Sequence, residues 1–322
     1  MQWDNVKELK ENATTILARK LVSAFSTDDN IKTCTPVLGI CPTGKQNYHL
    51  AVHIRDKSGL ELIEPILNQA KGEVNIQITG EVYPRINNYY QRPLSIGLSI
   101  SHYDDYLKAG TLGCFVRQKG ESDLLILSNN HVLVKDNKYQ MNNQIIQPAI
   151  KDLGDKEKDQ IAILKDFIPL KANQVNMADV AIAQINSNIN VGNVADLMGL
   201  GMLKGVYNDD MEYDEQFMKI GRTSKLTYGK INAIELDNIE LSYNAQLTNC
   251  RFDGIIAIEG QKDEPFSRPG DSGSIIVDSQ GYAIALLFAG TNLGGKNKQG
   301  LTYAIPINIV LEQLNIEIAT TV

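Results

Sequence analysis

Cysteine is scarce in this 322-residue sequence, which contains only Cys34, Cys41, Cys114 and Cys250. Four thiols in a chain of this length do not make the disulfide framework on which small secreted domains depend. Cys34 and Cys41 are close enough in sequence to close a small loop, and that pairing stays open as an alternative. Reduced thiols in a cytoplasmic protein are the favoured interpretation.

Several other features are missing. No run of about 18 apolar residues occurs, so no transmembrane helix is expected. Residues 1–8 lack the basic-then-apolar order of a secretory signal peptide. The net charge of −7 argues against the basic surface that nucleic-acid phosphates require. These absences predict a cytoplasmic protein that binds neither nucleic acid nor a membrane.

Metal-binding patterns are absent as well. There is no Cys-x-x-Cys motif, so a structural zinc site is not expected. His49 and His53 are four residues apart, which on a helix would suit a metal ion. Their segment alternates between polar and apolar residues as a strand does, so no metal site is predicted there.

The amino-terminal part of the chain predicts two elements of organisation. Apolar residues recur at near-helical spacing between positions 3 and 25, so an amphipathic helix is expected within residues 1–30. Residues 31–84 predict a small α/β domain, whose expected strands and helix fall at 35–40, 48–54, 60–70 (the helix) and 74–78. Gly39 to Lys45 approaches a phosphate-binding loop, but Gln46 replaces the required Ser or Thr. A turn between two strands is the favoured interpretation.

The pattern of the remaining residues predicts a mainly β structure. Residues 85–105 contain Pro and Asn residues typical of a connector. Two successive sets of short strands with glycine and asparagine turns, at residues 106–200 and 201–322, predict a pair of barrels or sandwiches. A terminal helix within 305–316 is expected to pack on the second set.

The stretch Arg268-Pro-Gly-Asp-Ser-Gly-Ser274 places a serine between an acid and glycines just before an apolar strand. Alone, this motif occurs in loops by chance. A serine nucleophile needs a histidine base and an acid that orients it, and both stand upstream. His131 follows a strand in Leu127-Ser-Asn-Asn-His-Val-Leu133, and Asp179 begins the apolar segment Asp179-Val-Ala-Ile-Ala183.

With the further segments Ala109-Gly-Thr-Leu-Gly-Cys-Phe-Val116 and Gly221-Arg-Thr-Ser224, the sequence resembles the trypsin-like (chymotrypsin-fold, S1-type) serine peptidases. It is most similar to a bacterial, non-secreted branch with an amino-terminal α/β leader domain. The resemblance covers about residues 34–316 and implies two six-stranded barrels with the active site between them.

The resemblance also implies the role of each residue. Ser272 would be the nucleophile, His131 the general base, and Asp179 the acid that orients the imidazole. The backbone amides of Gly270 and Ser272 would form the oxyanion hole. No metal or organic cofactor is required. Asp159 and His102 are weaker candidates for the acid and the base, because Asp159 follows a charged loop and His102 lacks a matching acid and serine.

Asp271 poses a separate question. In the secreted enzymes, the residue at this position pairs with a new amino terminus that is released by cleavage. Here about a hundred residues precede the first expected barrel, so Asp271 must pair elsewhere, with Arg268 or Arg222 as candidates. Without a partner the buried carboxylate would be costly, and activity would then be gated by a partner protein or by the leader domain.

The expected specificity pocket contains Phe266, Phe288 and Gly290. Phe266 stands six residues before the nucleophile, where enzymes that cut after basic residues carry an aspartate, so cleavage after Arg or Lys is disfavoured. Asp263 or Glu264 remains an alternative source of a pocket carboxylate.

Two functions follow from these patterns. The favoured one is a serine endopeptidase that acts on a protein or peptide substrate, with an activating or regulatory protein as a further candidate partner. A narrower version is a regulatory protease of a stress or antiphage defence circuit. The alternative is a catalytically silent trypsin-like scaffold that binds a protein partner.

Overall fold

The computed structural model describes residues 1–24, 36–54, 59–78, 90–199, 201–207, 215–296 and 298–321, without the side chains of residues 20–24 and 59–62. The chain divides into two compact units, Met1–Arg85 and Ile86–Val322. Cys34 lies outside the described residues, so the expected alternative of a Cys34–Cys41 pair does too. Within the described residues, no helix is long and apolar enough to cross a membrane.

The first unit packs two helices with one small sheet. Its elements are α1 (Trp3–Ala24), β1 (Val37–Gly44), β2 (Asn47–Ile54), α2 (Gly59–Ala70) and β3 (Val74–Ile78). β2 pairs antiparallel with β1 and parallel with β3. Because β2 alternates, one face of it buries its apolar residues against side chains from both helices, in the cluster Ala13, Leu17, Leu50, Val52, Ile54, Ile63 and Ile66.

This unit confirms the predicted helices and strands, with one difference in organisation. The Gly39–Lys45 segment is strand and turn, as the turn interpretation predicted, and Gln46 adopts a left-handed φ of 59° in the turn. α1 contributes to the same hydrophobic cluster as the sheet. The helix is therefore part of the α/β unit and not a separate segment of residues 1–30.

The second unit begins with an open, curved sheet that forms a half-barrel. Its strands lie in the order β21-β6-β7-β11-β9-β8-β4-β5 among the described residues. In chain order they are β4 (Ser99–His102), β5 (Gly110–Thr111), β6 (Cys114–Gln118), β7 (Leu125–Ser128), β8 (Gln144–Ile146), β9 (Gln160–Phe167), β11 (Ala181–Ile185) and β21 (Ile316–Ile318). A one-turn helix α3 (Asn130–Leu133) follows β7, and a 3₁₀ turn spans Ile150–Asp152.

The later strands close into a six-stranded barrel. They are β13 (Phe217–Gly221), β14 (Lys225–Leu236), β17 (Ile255–Gly260), β18 (Ile275–Asp278), β19 (Tyr282–Gly290) and β20 (Leu301–Pro306). The pairing of β19 with both β18 and β20 completes the ring. β12 (Gly205–Val206) pairs parallel with β19. A small third sheet consists of β10 (Val175–Asn176), β15 (Ile239–Leu241) and β16 (Cys250–Phe252). Closure leaves no free edge in the ring, which stabilises an all-β body.

Two expected boundaries were wrong. β4 belongs to the half-barrel, so the barrel begins before residue 106 and inside the expected connector 85–105. Its sequence Ser-Ile-Ser-His does not predict a strand, because polar side chains occupy buried positions there. The terminal helix α4 (Ile307–Gln313) is followed by β21, which returns to pair with β6 of the half-barrel. Residues 201–322 therefore do not all belong to the second barrel.

Candidate active site

His131 lies on α3, directly after β7 ends at Ser128. Asn129 leaves the strand in extended conformation and α3 makes a single turn. That turn projects the imidazole from the end of the half-barrel, and its side chain is 15% exposed. Sequence reasoning expected the strand end but not the helical turn.

Asp179 stands just before β11, which pairs antiparallel with β7 in the register Ala181↔Ser128. This register brings Asp179 beside the first turn of α3. Its fully buried carboxylate lies 2.6 Å from His131 Nδ1 and accepts the His131 backbone N–H at 3.1 Å. The structure thus brings the predicted base and acid into direct contact.

The Asp179 carboxylate is held in its ionised form. Burial alone would raise the pKa of Asp179, but His131 and hydrogen bonds to the carboxylate lower it below its ordinary value. An ionised carboxylate can only accept hydrogen bonds, so Nδ1 of His131 donates. Nε2 of His131 is then left as the proton acceptor.

Tyr243 completes the surroundings of Asp179 and was missed from the sequence. Its hydroxyl donates to Asp179 Oδ2 at 2.7 Å, and its ring centroid lies 5.7 Å from that of His131. Burial and the Asp179 charge raise the pKa of Tyr243 well above its ordinary value, so it acts as a hydrogen-bond donor. Tyr243 lies in the loop between β15 and β16, far from either motif, and no local pattern indicates it.

Ser272 lies in the loop between β17 and β18 of the closed barrel. Its carbonyl accepts the Thr111 N–H at 2.8 Å. A Cβ at Gly110 would lie 3.0 Å from the Ser272 carbonyl and 2.6 Å from Val132 Cγ1, so Gly110 lets the Ser272 loop approach α3 closely. The half-buried Ser272 therefore lies next to the residue that follows His131. Its hydroxyl makes no hydrogen bond to another residue that the structure describes.

The two peptides that would supply an oxyanion hole are both fixed through their carbonyls. Thr223 Oγ1 donates to the Pro269 carbonyl at 2.9 Å, and Ser274 donates to the Asp271 carbonyl at 2.6 Å through its hydroxyl. In a trans peptide the N–H points opposite to the C=O. The N–H groups of Gly270 and Ser272 are thus turned away from these donors, and neither is bonded within the described residues.

Asp271 has a partner that the sequence did not reveal. Lys219 on β13 places Nζ 3.2 Å from Asp271 Oδ2, and both side chains are fully buried. The carboxylate also accepts the Ser224 hydroxyl at 2.5 Å, and it accepts the backbone N–H groups of Thr223, Ser224 and Arg268. Burial would raise the pKa of Asp271, but Lys219 and these donors lower it overall.

Neither guanidinium that was expected to pair with Asp271 does so. The Arg222 guanidinium forms a two-pronged ion pair with Asp152 of the 3₁₀ turn. The Arg268 side chain faces Glu264 at the surface, and only its backbone N–H reaches Asp271. The expectation failed because strand alternation turns the Lys219 side chain toward the buried side of β13. No neighbouring residue in the sequence indicates a buried cation there.

Two of the three expected pocket residues are buried in the core. Phe266 is 1% exposed in a cluster with Phe217 and Ile258, and Phe288 is 3% exposed and packs on Phe252. Both rings are core residues and not exposed pocket walls. Gly290 stands at the exposed end of β19, where a Cβ would lie 3.6 Å from Ser267 Oγ.

The Ser267 hydroxyl beside Gly290 is itself 2.6 Å from the Thr302 hydroxyl. The alternative carboxylates, Asp263 and Glu264, are exposed. The two hydroxyl side chains beside Gly290 are therefore neutral.

The two weaker candidates for the acid and the base lie elsewhere. Asp159 accepts the Asp155 backbone N–H at 2.8 Å and closes its own loop. His102 stacks on Tyr139 with ring centroids 3.2 Å apart, and burial lowers its pKa to about 4. Among the residues that the structure describes, no three His, Cys, Asp or Glu side chains come together as a metal site.

The closed barrel, the half-barrel and the position of these residues between them define the fold of the chymotrypsin-like serine proteases. Residues 94–321 match the family model described as the Nal1 C-terminal domain, and the chain belongs to that family. A comparison with curated protein sequences finds no match.

Solved structures similar to this chain include three proteases. Thermobifida fusca protease A is 14% identical with a TM-score of 0.48, and the Nocardiopsis protease is 14% identical with a TM-score of 0.49. A glutamic acid-specific serine protease, described as using a histidine triad in substrate binding, is 12% identical with a TM-score of 0.49. Each comparison covers 70% of this chain and 100% of the other chain.

Proposed function

We propose that this protein is a serine endopeptidase that hydrolyses peptide bonds of a protein substrate through an acyl-enzyme intermediate. The observation that carries the proposal is the 2.6 Å contact between His131 Nδ1 and the buried Asp179 carboxylate, formed beside the Ser272 loop. A buried acid that fixes one imidazole nitrogen leaves the other free to take a proton from a nucleophile.

In the proposed reaction, Ser272 Oγ attacks the carbonyl carbon of the substrate as its proton moves to His131 Nε2. The new imidazolium is stabilised by Asp179, to which Tyr243 and the His131 backbone also donate. His131 then protonates the leaving amine as the carbon–nitrogen bond breaks. Water attacks the acyl-enzyme ester by the same route, which releases the acid product and restores Ser272.

The negative charge on the substrate oxygen requires donors that are in place beforehand. We assign this role to the N–H groups of Gly270 and Ser272, since their carbonyls are anchored on the opposite side by Thr223 and Ser274. Each such donor is worth about 10²- to 10³-fold in kcat in enzymes of this kind.

Peptide hydrolysis by the full chain tests the proposal. Ser272→Ala should lower kcat by at least about 10³-fold, because the covalent route is lost. Ser279→Ala removes an exposed hydroxyl beyond β18 and should keep wild-type activity. Equal activity of wild-type protein and Ser272→Ala would contradict the proposal.

A silent scaffold is the second candidate. The observation that favours it is the Ser272 hydroxyl, which makes no hydrogen bond to His131. Catalytic hydrogen bonds are often long without substrate and tighten only in the reacting complex. A wild-type chain that binds peptides but never cleaves them would support the scaffold.

We also place the protease in the cytoplasm, because Cys41, Cys114 and Cys250 carry free thiols. Gating of activity is expected where Asp271 lacks a partner, and Lys219 supplies that partner. A role in a stress or antiphage defence circuit rests instead on the restraint that a cytoplasmic protease with a leader domain needs. A substrate or regulatory protein would be found by purifying the Ser272→Ala form from cells and identifying what it retains.

A further inference from the structure

The orientation of one peptide, Pro269–Gly270, decides whether the proposed oxyanion hole exists. Carbonyl and N–H point in opposite directions across a trans peptide. A half-turn of this peptide would place the Pro269 carbonyl oxygen where the Gly270 N–H is needed, and the site would then repel a developing negative charge. Whatever holds the Pro269 carbonyl therefore also sets the Gly270 donor.

The Thr223 hydroxyl holds that carbonyl, because among the contacts of this hydroxyl with described residues the carbonyl is the only one that can accept its hydrogen. Thr223 Oγ1 lies 2.9 Å from the Pro269 oxygen and 3.0 Å from Arg222 Nη1. A guanidinium can only donate, so Oγ1 accepts from Arg222. The single hydroxyl hydrogen of Thr223 is left for the Pro269 carbonyl.

Arg222 is itself fixed by a second pair. Its Nε lies 2.6 Å from Asp152 Oδ2, and its Nη2 donates to Asp152 Oδ1. The two side chains are 11% and 4% exposed. A two-pronged pair holds the plane of the guanidinium and leaves Nη1 directed at Thr223.

Gly270 leaves room for this arrangement. Its φ of 102° lies in the region that favours glycine, and a Cβ there would lie 2.5 Å from Arg222 Nη1 and would also overlap Thr223 Oγ1. Arg222 and Thr223 thus pack directly against the peptide that they orient.

We propose that Thr223, oriented by the Asp152–Arg222 pair, is a positioning residue that holds the Pro269–Gly270 peptide in the orientation that forms the oxyanion hole. This inference rests on the proposed peptidase function and extends it to residues beyond those that touch the substrate.

The test uses three threonine variants of the full chain. Thr223→Val removes the hydroxyl and nearly conserves the shape, whereas Thr223→Ser restores the hydroxyl. Thr227→Val is the matched control, because Thr227 Oγ1 donates at 2.6 Å to the Phe266 carbonyl in the same loop and does not touch the Pro269–Gly270 peptide.

We expect Thr223→Val to lower kcat by about 10- to 100-fold, up to the value of one lost oxyanion donor, with KM changed less than about threefold. Thr223→Ser and Thr227→Val should stay within about threefold of wild type in kcat. Because Arg222 acts through Thr223, adding Arg222→Met to Thr223→Val should lower kcat little further.

A second readout does not depend on activity. Pro269–Gly270 is the single Pro–Gly dipeptide in the sequence. Carbonyl-¹³C proline and ¹⁵N glycine labelling therefore gives one amide–carbonyl correlation signal, which reports this peptide alone. We expect Thr223→Val to shift or broaden this signal, and Thr223→Ser and Thr227→Val to leave it in place.

An unchanged signal in Thr223→Val would overturn the inference, and so would a wild-type kcat in that variant. Equal losses of kcat in Thr223→Val and Thr227→Val would also overturn it, since the effect would then be structural. A wild-type chain with no peptidase activity would instead overturn the proposed function, while the carbonyl signal would still decide whether Thr223 holds the peptide.

Discussion

The Lys219 ammonium lies 3.2 Å from the Asp271 carboxylate, one residue before the proposed nucleophile, and neither side chain is exposed. Asp271 was expected to pair with Arg268 or Arg222, and Lys219 pairs with it instead. Because Lys219 comes from β13 of the same barrel, the loop that carries Ser272 is anchored without any cut in the chain.

Removing Lys219 should damage both stability and activity. Lys219→Met leaves the Asp271 carboxylate buried without its counter-charge, which typically costs about 3–5 kcal/mol. We expect the free energy of unfolding, measured by urea denaturation, to fall by about that amount and kcat to fall with it. The double variant Lys219→Met, Asp271→Asn should lose less, because it leaves no buried charge.

The exposed ion pair in the same loop provides the control for this experiment. Glu264→Gln breaks the contact between Glu264 and Arg268, which lie 3.3 Å apart at the surface, and should change stability little. A Lys219→Met variant as stable as Glu264→Gln would contradict the role assigned to the buried pair.

Tyr243 should matter for the proposed base. Tyr243→Phe removes one donor from Asp179, and hydrogen bonds to charged groups contribute about 1.5–3 kcal/mol. The variant should therefore lower kcat/KM by about 10-fold or more. Because the hydroxyl helps to lower the pKa of Asp179, its loss should also raise that pKa, which a ¹³C NMR titration of the carboxylate measures.

Tyr228→Phe, at an exposed tyrosine of β14, is the matched control and should behave as wild type in both measurements. The role of Tyr243 is excluded if its phenylalanine variant has the wild-type kcat/KM at every pH.

His102 should make the fold sensitive to mild acid. Burial lowers the pKa of His102 from 6.5 to about 4, and its Nδ1 accepts the Asp104 backbone N–H at 3.1 Å. The folded chain keeps this base neutral, so the unfolded chain binds the additional proton between about pH 6.5 and about pH 4. Stability is therefore full above pH 6.5 and falls as the pH drops through that window.

The loss at His102 should reach at most about 3 kcal/mol, and less where solvent screens the ring. Urea denaturation at a series of pH values measures it. His102→Gln should flatten the slope in this window, whereas the exposed His53→Gln should not. An identical slope in His102→Gln and wild type would show that another group is responsible.

Cleavage after basic residues should be disfavoured. Gly290 adjoins the neutral hydroxyls of Ser267 and Thr302, and the Phe266 ring is buried in the core. The Ser267 and Thr302 hydroxyls bring no negative charge that would offset a buried Arg or Lys of the substrate. A peptide-library cleavage profile should lack an Arg or Lys preference, and a strong preference for either would contradict this assignment.

The candidate base, acid and nucleophile could be predicted from the sequence because each lies in a short local pattern. His131 follows a strand, Asp179 precedes one, and Ser272 stands among glycines. Lys219 and Tyr243 escaped detection because their roles arise from strand register and loop packing across long sequence distances, which no local pattern records.

The limits of the fold prediction have a similar physical cause. Alternating strands and glycine turns predicted the mainly β body correctly. β4 was missed since polar Ser and His side chains occupy its buried positions, and β21 since only the pairing partner β6 makes it a strand. Polar side chains inside and pairing between distant segments are features that periodicity cannot reveal.

Intact-mass spectrometry after treatment with a fluorophosphonate tests the central claim most directly, because that reagent phosphonylates a serine only when a base activates it. We predict one adduct on the uncut 322-residue chain, located at Ser272, absent from Ser272→Ala and strongly reduced in His131→Ala. The absence of an adduct from the wild-type chain, or its presence in Ser272→Ala, would contradict the account.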